Sequence, residues 1–273
     1  MPNYDAAGDV KKPNFFLRTS VVFLIVGAVM LTAGIILIGK GGLDKYIKKH
    51  SADETFDAAE ITELDFEIGA ADIEIKATDD DKISVEAKDI PYDLNCRTEK
   101  GRLYVYGNEK DNVRNIAFAY IGNKKTNPKI TILVPKKEYS SIRMEFGLGE
   151  ADVYDLDCKK LRIETGMSEV VLNSCTASDS AEIECGMSDI DFKDCTFNMC
   201  SFDIGMCDLD YSGSITGESS FDGGMCEYDF ELDADRSDYY IKGADVSGSG
   251  SNNTDGIRFK CDVGMGDIDF KFR

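Results

Sequence analysis

The chain has 273 residues but a single histidine, His50, and no tryptophan. One histidine leaves almost no room for His-based acid–base catalysis or for a His-rich metal site. Basic residues are scarce beside acidic ones, 31 Lys+Arg against 51 Asp+Glu, for a formal net charge of −20. Nucleic-acid binding needs a basic face to displace counterions from phosphates, so this balance argues against it. No Cys-x-x-Cys pair, phosphate loop, dinucleotide fingerprint or serine-hydrolase elbow occurs. What is present is 42% apolar, enough for the core of one or two domains.

The charge is uneven. Residues 1–50 carry 7 basic and 3 acidic side chains, +4, and the remaining 223 carry 24 and 48, −24. Residues 145–232 alone hold 4 basic and 21 acidic, −17. In the basic head, Val21 to Gly39 are uncharged over 19 residues, close to the ~20 that carry a helix across a bilayer. The run is longer than a signal-peptide core, and Lys40 follows it with no A-x-A site. Residues 20–39 are therefore expected to be an uncleaved transmembrane helix whose partner is the lipid bilayer. Residues 1–19 form a short tail before it. Residues 40–59 read as a juxtamembrane linker, with a surface turn of helix at Leu43 to His50 and a polar spacer from Ser51 to Ala59. The flanking Lys and Arg count slightly favours the C-terminal side inside. Long domains translocate largely regardless of such charges, so the expected location is a single-pass membrane protein with its C-terminal domain outside.

Internal repetition dominates the rest. ECGMSDIDF around Gly186 recurs as ETGMSEVVL around Gly166, DIGMCDLDY around Gly205, DGGMCEYDF around Gly224 and DVGMGDIDF around Gly264. Weaker copies surround Gly147 and Gly69. Anchors at 147, 166, 186, 205 and 224 are 19, 20, 19 and 19 apart. The step to 264 is 40, two periods with one degenerate or looped-out unit, and the step from 69 to 147 is 78, close to four periods. Apolar residues alternate with polar ones on both sides of each glycine, the mark of strands with one buried face. Glycine permits a tight bend between them. Tandem units of this length predict an all-β fold over residues 60–273, a parallel β-solenoid with the right-handed winding of parallel crossovers.

Stacked units produce columns. Ala151, Val170, Ile190, Leu209, Tyr228 and Ile268 form one apolar column, and Val153, Leu172, Phe192, Tyr211, Phe230 and Phe270 another. Directly after the glycine stand Leu148, Met167, Met187, Met206, Met225 and Met265. A methionine stripe can hold copper, but one Met per coil beside apolar ladders reads as packing. Met187 and Met206 are thus expected to be buried neighbours, so that an Asp at 206 costs more than ~3 kcal/mol.

Three further columns are acidic. They run through Glu67, Glu145, Glu164, Glu184, Asp203, Asp222 and Asp262, through Asp72, Glu150, Glu169, Asp189, Asp208, Glu227 and Asp267, and through Glu74, Asp152, Val171, Asp191, Asp210, Asp229 and Asp269. Acids fill 20 of these 21 positions. Like charges ~5 Å apart repel by roughly 0.8 kcal/mol in water and ~3 kcal/mol at an effective dielectric of 20. Salt, raised pKa values, bound cations or a basic partner would offset that. The simplest reading is a solvated, solubilising face. A cation reading would place Ca²⁺ on Asp189, Asp191, Asp208, Asp210, Glu227 and Asp229, since oxygen-only sites suit it, although the G-G-x-G-x-D nonapeptide is not matched.

Of the nine cysteines, Cys175 and Cys195 share one column and Cys207 and Cys226 another. Adjacent coils bring such pairs within the ~4.4–6.8 Å Cα window of a disulfide. Cys185 and Cys261 fall at inward positions as small apolar residues, and mostly free thiols are expected.

GRLYVYGN (101–108), KITILVPKKEYSSIRMEFGLGEADV (129–153) and the glycine–aspartate–hydrophobic coils resemble the bacterial “putative adhesin” β-strand-repeat family, over about Ile61 to Phe272. The resemblance implies a β-helix-like solenoid at the cell surface, commonly with an N-terminal span, and no catalytic residues. The expected function is a membrane-anchored, non-catalytic binding or scaffolding module. The alternatives are a Ca²⁺-loaded structural module of the envelope and a polysaccharide-cleaving β-helix enzyme. The last is disfavoured because the acids repeat evenly and single out no coil.

Overall fold

The computed structural model describes residues 49–107, 128–243, 245–246 and 253–273. The expected membrane span at 20–39 and its flanks lie outside these residues. Among the described residues no helix is long and apolar enough to cross a membrane, and the fold is all-β. The first unit is β1 (His50–Asp57), β2 (Glu63–Ala70), β3 (Asp72–Thr78), β4 (Lys82–Ile90), β5 (Leu94–Glu99), β6 (Arg102–Gly107) and β7 (Lys129–Pro135). The long strands β8 (Glu138–Tyr154) and β9 (Asp157–Asn173) follow, then β10 (Thr176–Cys185), β11 (Asp189–Ile204), β12 (Leu209–Ile215) and β13 (Ser219–Leu232). A 3-10 turn at Arg236–Asp238 leads to β14 (Tyr239–Lys242), β15 (Asp245–Val246) and β16 (Ile257–Phe272).

The coils stack in parallel, as expected. β8 lies parallel on β9, the first half of β9 on β10 and its second half on β11, so each coil hydrogen-bonds in register to the next. β11 continues onto β12 and β13. Both apolar columns lie inside: Val170, Leu172, Phe192 and Phe230 are fully buried. The aromatic column stacks, with ring centroids 5.6 Å apart for Phe192–Tyr211, 5.8 Å for Tyr211–Phe230 and 4.9 Å for Phe230–Phe270.

The ends depart from the sequence expectation. Gly69 and Gly147 are not four coils apart. β2 pairs directly with β8, Glu67 opposite Glu145, and on its other side with β6. β3 is likewise held between β7 and β8. The β2–β3 coil is therefore inserted between the later β6–β7 coil and the main stack. At the other end β16 lies directly on β13, while β14 and β15 pair with the far side of β16. Chain order and stacking order differ at both ends, because parallel register rewards matching faces rather than sequence proximity.

The segment expected to be a polar spacer is also strand. β1 pairs antiparallel with β4, and β4 with β7. β5 pairs antiparallel with β6. The chain direction thus reverses at the β1–β4 edge, so the parallel stack of coils ends there. His50 begins β1, its Nδ1 against the Asp93 carboxylate.

Candidate functional site

The glycine corner organises the exposed surface. The anchor glycines do not have left-handed φ. Their role is close approach: a Cβ at Gly186 would sit 3.0 Å from the carbonyl oxygen of Gly166 in the coil below. Left-handed residues stand two after the anchor at the glycine corner, at Gly149 and Gly266, and recur at a second corner eight after it, Asp155, Ser174, Asp194 and Gly213. The sequence reading passed over this corner, although its signal, a small polar or glycine residue at a constant offset, was present.

At the glycine corner two successive residues face outward. Gly166 and Met167 are both exposed, as are Gly186 and Met187, and Gly205 and Met206. The methionine column is thus outside, not in the core as expected. Met187 and Met206 are each 48% exposed. The extra outward residue resets the alternation, so the next position turns inward: Ser168 and Ser188 are buried. Met206→Asp is accordingly expected to change unfolding free energy by no more than about 1 kcal/mol, an exposed-site value, in urea titration.

Behind the methionines, the residue before one glycine meets the residue two after the next. Thr165 Oγ1 lies 3.0 Å from Ser188 Oγ. One coil up, the same pair of positions holds Cys185 and Cys207, joined as a disulfide. This departs from the sequence expectation, in which Cys185 was a small apolar residue and the possible pairs, Cys175 with Cys195 and Cys207 with Cys226, lay within columns. The corner brings diagonal positions together. Cys175 and Cys195 are free, as are Cys96, Cys158, Cys200 and Cys261, in keeping with mostly free thiols. The side chain of Cys226 lies outside the described part of the structure. Burial pushes the thiols of Cys158 and Cys261 up to about 12, and that of Cys96 up to about 11. The hydrogen bond with Cys195, together with burial, also pushes Cys175 up. Thiols held in the protonated form are poor nucleophiles at neutral pH.

The carboxylate columns are real ladders. Glu67, Glu145, Glu164, Glu184, Asp203, Asp222 and Asp262 occupy successive register positions over seven strands. Two arginines, missed by the sequence reading despite their 19-residue spacing, relieve its first half. Arg143 Nη2 is 2.9 Å from both Glu145 and Glu164, and Arg162 reaches Glu164 at 2.7 Å and Glu184 at 2.8 Å. The Arg162 and Arg143 hydrogen bonds hold the Glu164 carboxyl below the usual range. A groove of about 490 Å³ runs along this ladder and the glycine column beside it.

Of the six residues named for Ca²⁺, Asp191, Asp210 and Asp229 stand directly in register on β11, β12 and β13. Asp189 lies opposite Glu169, and Glu227 opposite Asp267. Asp208 precedes β12, its carbonyl accepting from the Ile190 amide at 3.0 Å. Asp191 is ion-paired with Lys193 at 2.5 Å and Asp229 with Lys271 at 3.0 Å. Asp210 lies between them. Among the described residues no three His, Cys, Asp or Glu side chains converge as a metal site; ladder carboxylates project side by side.

Burial, then Asp191, Asp229 and Asp208, push the Asp210 pKa up, with Lys271 opposing. An acid with a raised folded-state pKa binds more protons folded than unfolded, so its contribution to stability falls as pH rises from the ordinary aspartate value through the folded one. Asp210→Asn is expected to raise stability at pH 7 and low salt by about 0.5 kcal/mol, the size of a relieved cross-strand like-charge contact. The gain should shrink at pH 4 and in high salt, as read by urea unfolding.

A family model matches residues 61–271. The chain belongs to the Toastrack DUF4097 family. The match spans all the coils and the edge strands from β2 onward, and stops short of β1. Among curated proteins no relative matches. Solved structures resemble the chain at low identity. A “putative cell adhesion protein” from Clostridium sporogenes is 14% identical, with TM-score 0.43, covering 83% of this chain and 100% of that one. A “putative adhesin” from Bacteroides fragilis is 15% identical, with TM-score 0.35, covering 82% and 98%. A “putative lipid binding protein” from Parabacteroides distasonis is 15% identical, with TM-score 0.29, covering 82% and 94%.

Proposed function

We propose that this Toastrack DUF4097 protein is a non-catalytic surface module of the cell envelope, held in the membrane by residues 20–39, that presents its acidic solenoid outside the cell to a basic protein or envelope surface. The observation that carries this reading is the recurrence of the outer face: carboxylates stand in register from coil to coil, with Arg143 and Arg162 bridging only the first half of one ladder. An extended single-sign surface attracts a partner of opposite charge over many weak contacts. The test uses intact cells producing the full chain. External protease is expected to remove residues beyond the span while leaving a membrane-bound N-terminal fragment. Full protection of the chain would place the domain inside. Binding of the full chain to isolated envelope is expected to weaken with salt and with Asp191, Asp210 and Asp229 all replaced by Asn.

The same variant separates this reading from a Ca²⁺-loaded module. Carboxylates that only repel are screened equally by millimolar Ca²⁺ and by ionic-strength-matched Na⁺. A specific ion would add RT ln(1 + [L]/Kd), about 2.7 kcal/mol at 100-fold saturation, and the triple variant would lose it.

A further inference from the structure

We infer that the methionine stripe binds a soft monovalent metal ion, Cu(I) or Ag(I), through thioether sulfurs of successive coils. Met167, Met187, Met206, Met225 and Met265 are 49%, 48%, 48%, 44% and 66% exposed. The chain has nine methionines, so more than half stand in this one outward column. Core packing, the ordinary role of methionine, does not account for them.

The backbone sets their spacing. The Met187 amide donates to the Gly166 carbonyl at 2.8 Å, that of Met206 to Gly186 at 2.8 Å, and that of Met225 to Gly205 at 3.1 Å. Met225 and Met265 are direct register partners. Each methionine is thus one coil step, about 4.8 Å, from the next. Three rotatable bonds let neighbouring sulfurs turn toward one ion. Thioethers are soft ligands that select Cu(I)-like ions over Ca²⁺, Mg²⁺ or Zn²⁺.

The surroundings favour a cation without competing for it. The Glu164–Asp222 ladder runs on one side of the stripe, and Glu169, Asp189, Asp208 and Glu227 on the other. Carboxylates are hard ligands that raise the local cation concentration but bind soft ions weakly. A shallow groove of about 420 Å³ opens over Met167, Met187 and Met206. Among the described free thiols, Cys158, Cys175, Cys195, Cys200 and Cys261 are buried, and the half-buried Cys96 lies on β5, away from the stripe. The ion binds without change of oxidation state, so no electron or proton donor is required.

The test uses the full chain labelled with ¹³C-methyl methionine, titrated with Ag(I), and the unlabelled chain titrated anaerobically with Cu(I) against a chromophoric Cu(I) chelator. The methyl signals of the five stripe methionines are expected to shift. Met144, fully buried, and Met199, 48% exposed but off the column, should stay in place. Replacing all five stripe residues by Leu preserves apolar volume at exposed positions and is expected to weaken Cu(I) binding about tenfold or more. Stripe signals that do not move, or a Met199 shift as large as theirs, would overturn the inference. So would undiminished Cu(I) binding by the Leu variant, since that places the ion on cysteine. The Ag(I) titration is read on the wild-type chain and does not depend on the variant folding.

Discussion

Phe230→Ala is expected to cost about 3–5 kcal/mol of unfolding free energy, the range for truncating a buried aromatic ring. Phe230 is fully buried and lies 4.9 Å from Phe270, 5.4 Å from Phe259, 5.7 Å from Phe202, and 5.8 Å from both Tyr211 and Phe221, centroid to centroid. Those rings belong to the coil itself and to the coils on both sides. A solenoid coil contacts only its neighbours, so a cavity here loosens the stack where β13 joins β12 and β16. Urea unfolding checks the value. A loss below about 1 kcal/mol would mean the neighbouring rings close the cavity, contrary to the close packing of interiors.

Gly205→Ala is expected to destabilise by about 2 kcal/mol or more, as overpacking against backbone does. Its Cβ would lie 2.5 Å from the Gly186 carbonyl oxygen and 3.2 Å from that of Cys185. Both oxygens are already bonded, Gly186 to the Met206 amide and Cys185 to the Gly205 amide, each at 2.8 Å. Relief therefore requires breaking a coil-to-coil hydrogen bond. Gly166→Ala, whose Cβ would meet the Gly147 oxygen at 3.1 Å, should cost measurably less in the same titration. Equal losses at the two sites would argue that helical or strand propensity, rather than contact, sets the effect.

The two inner columns were readable because each depends on one quantity, the parity of a residue within a strand. From Ile190 to Phe192 or Leu209 to Tyr211 the alternation is unbroken, and the structure buries all four. The acid ladders were readable for the same reason, and in-register parallel stacking keeps identical positions opposite one another. The methionines were not, because the corner breaks parity. Counting back from Ile190 puts Ser188 inside and Met187 outside; counting forward from Cys185 puts Met187 inside. Only the backbone path at the glycine decides between the two counts, and it turns both Gly186 and Met187 outward.

The sequence by itself determined the all-β class, the coil length, the two buried ladders and the three acidic ones, since each follows from local alternation repeated at a constant period. The tertiary structure alone decided which coils touch. The β2–β3 coil lies beside β8 rather than several coils away, and β16 beside β13 ahead of β14, because pairing between distant strands is a property of matched faces and carries no local signal. The same holds for the Cys185–Cys207 bridge and the Arg143–Glu164 pairing. Both join positions that differ in column, across a bend or along a neighbouring strand, and such diagonals exist only once the coils are wound.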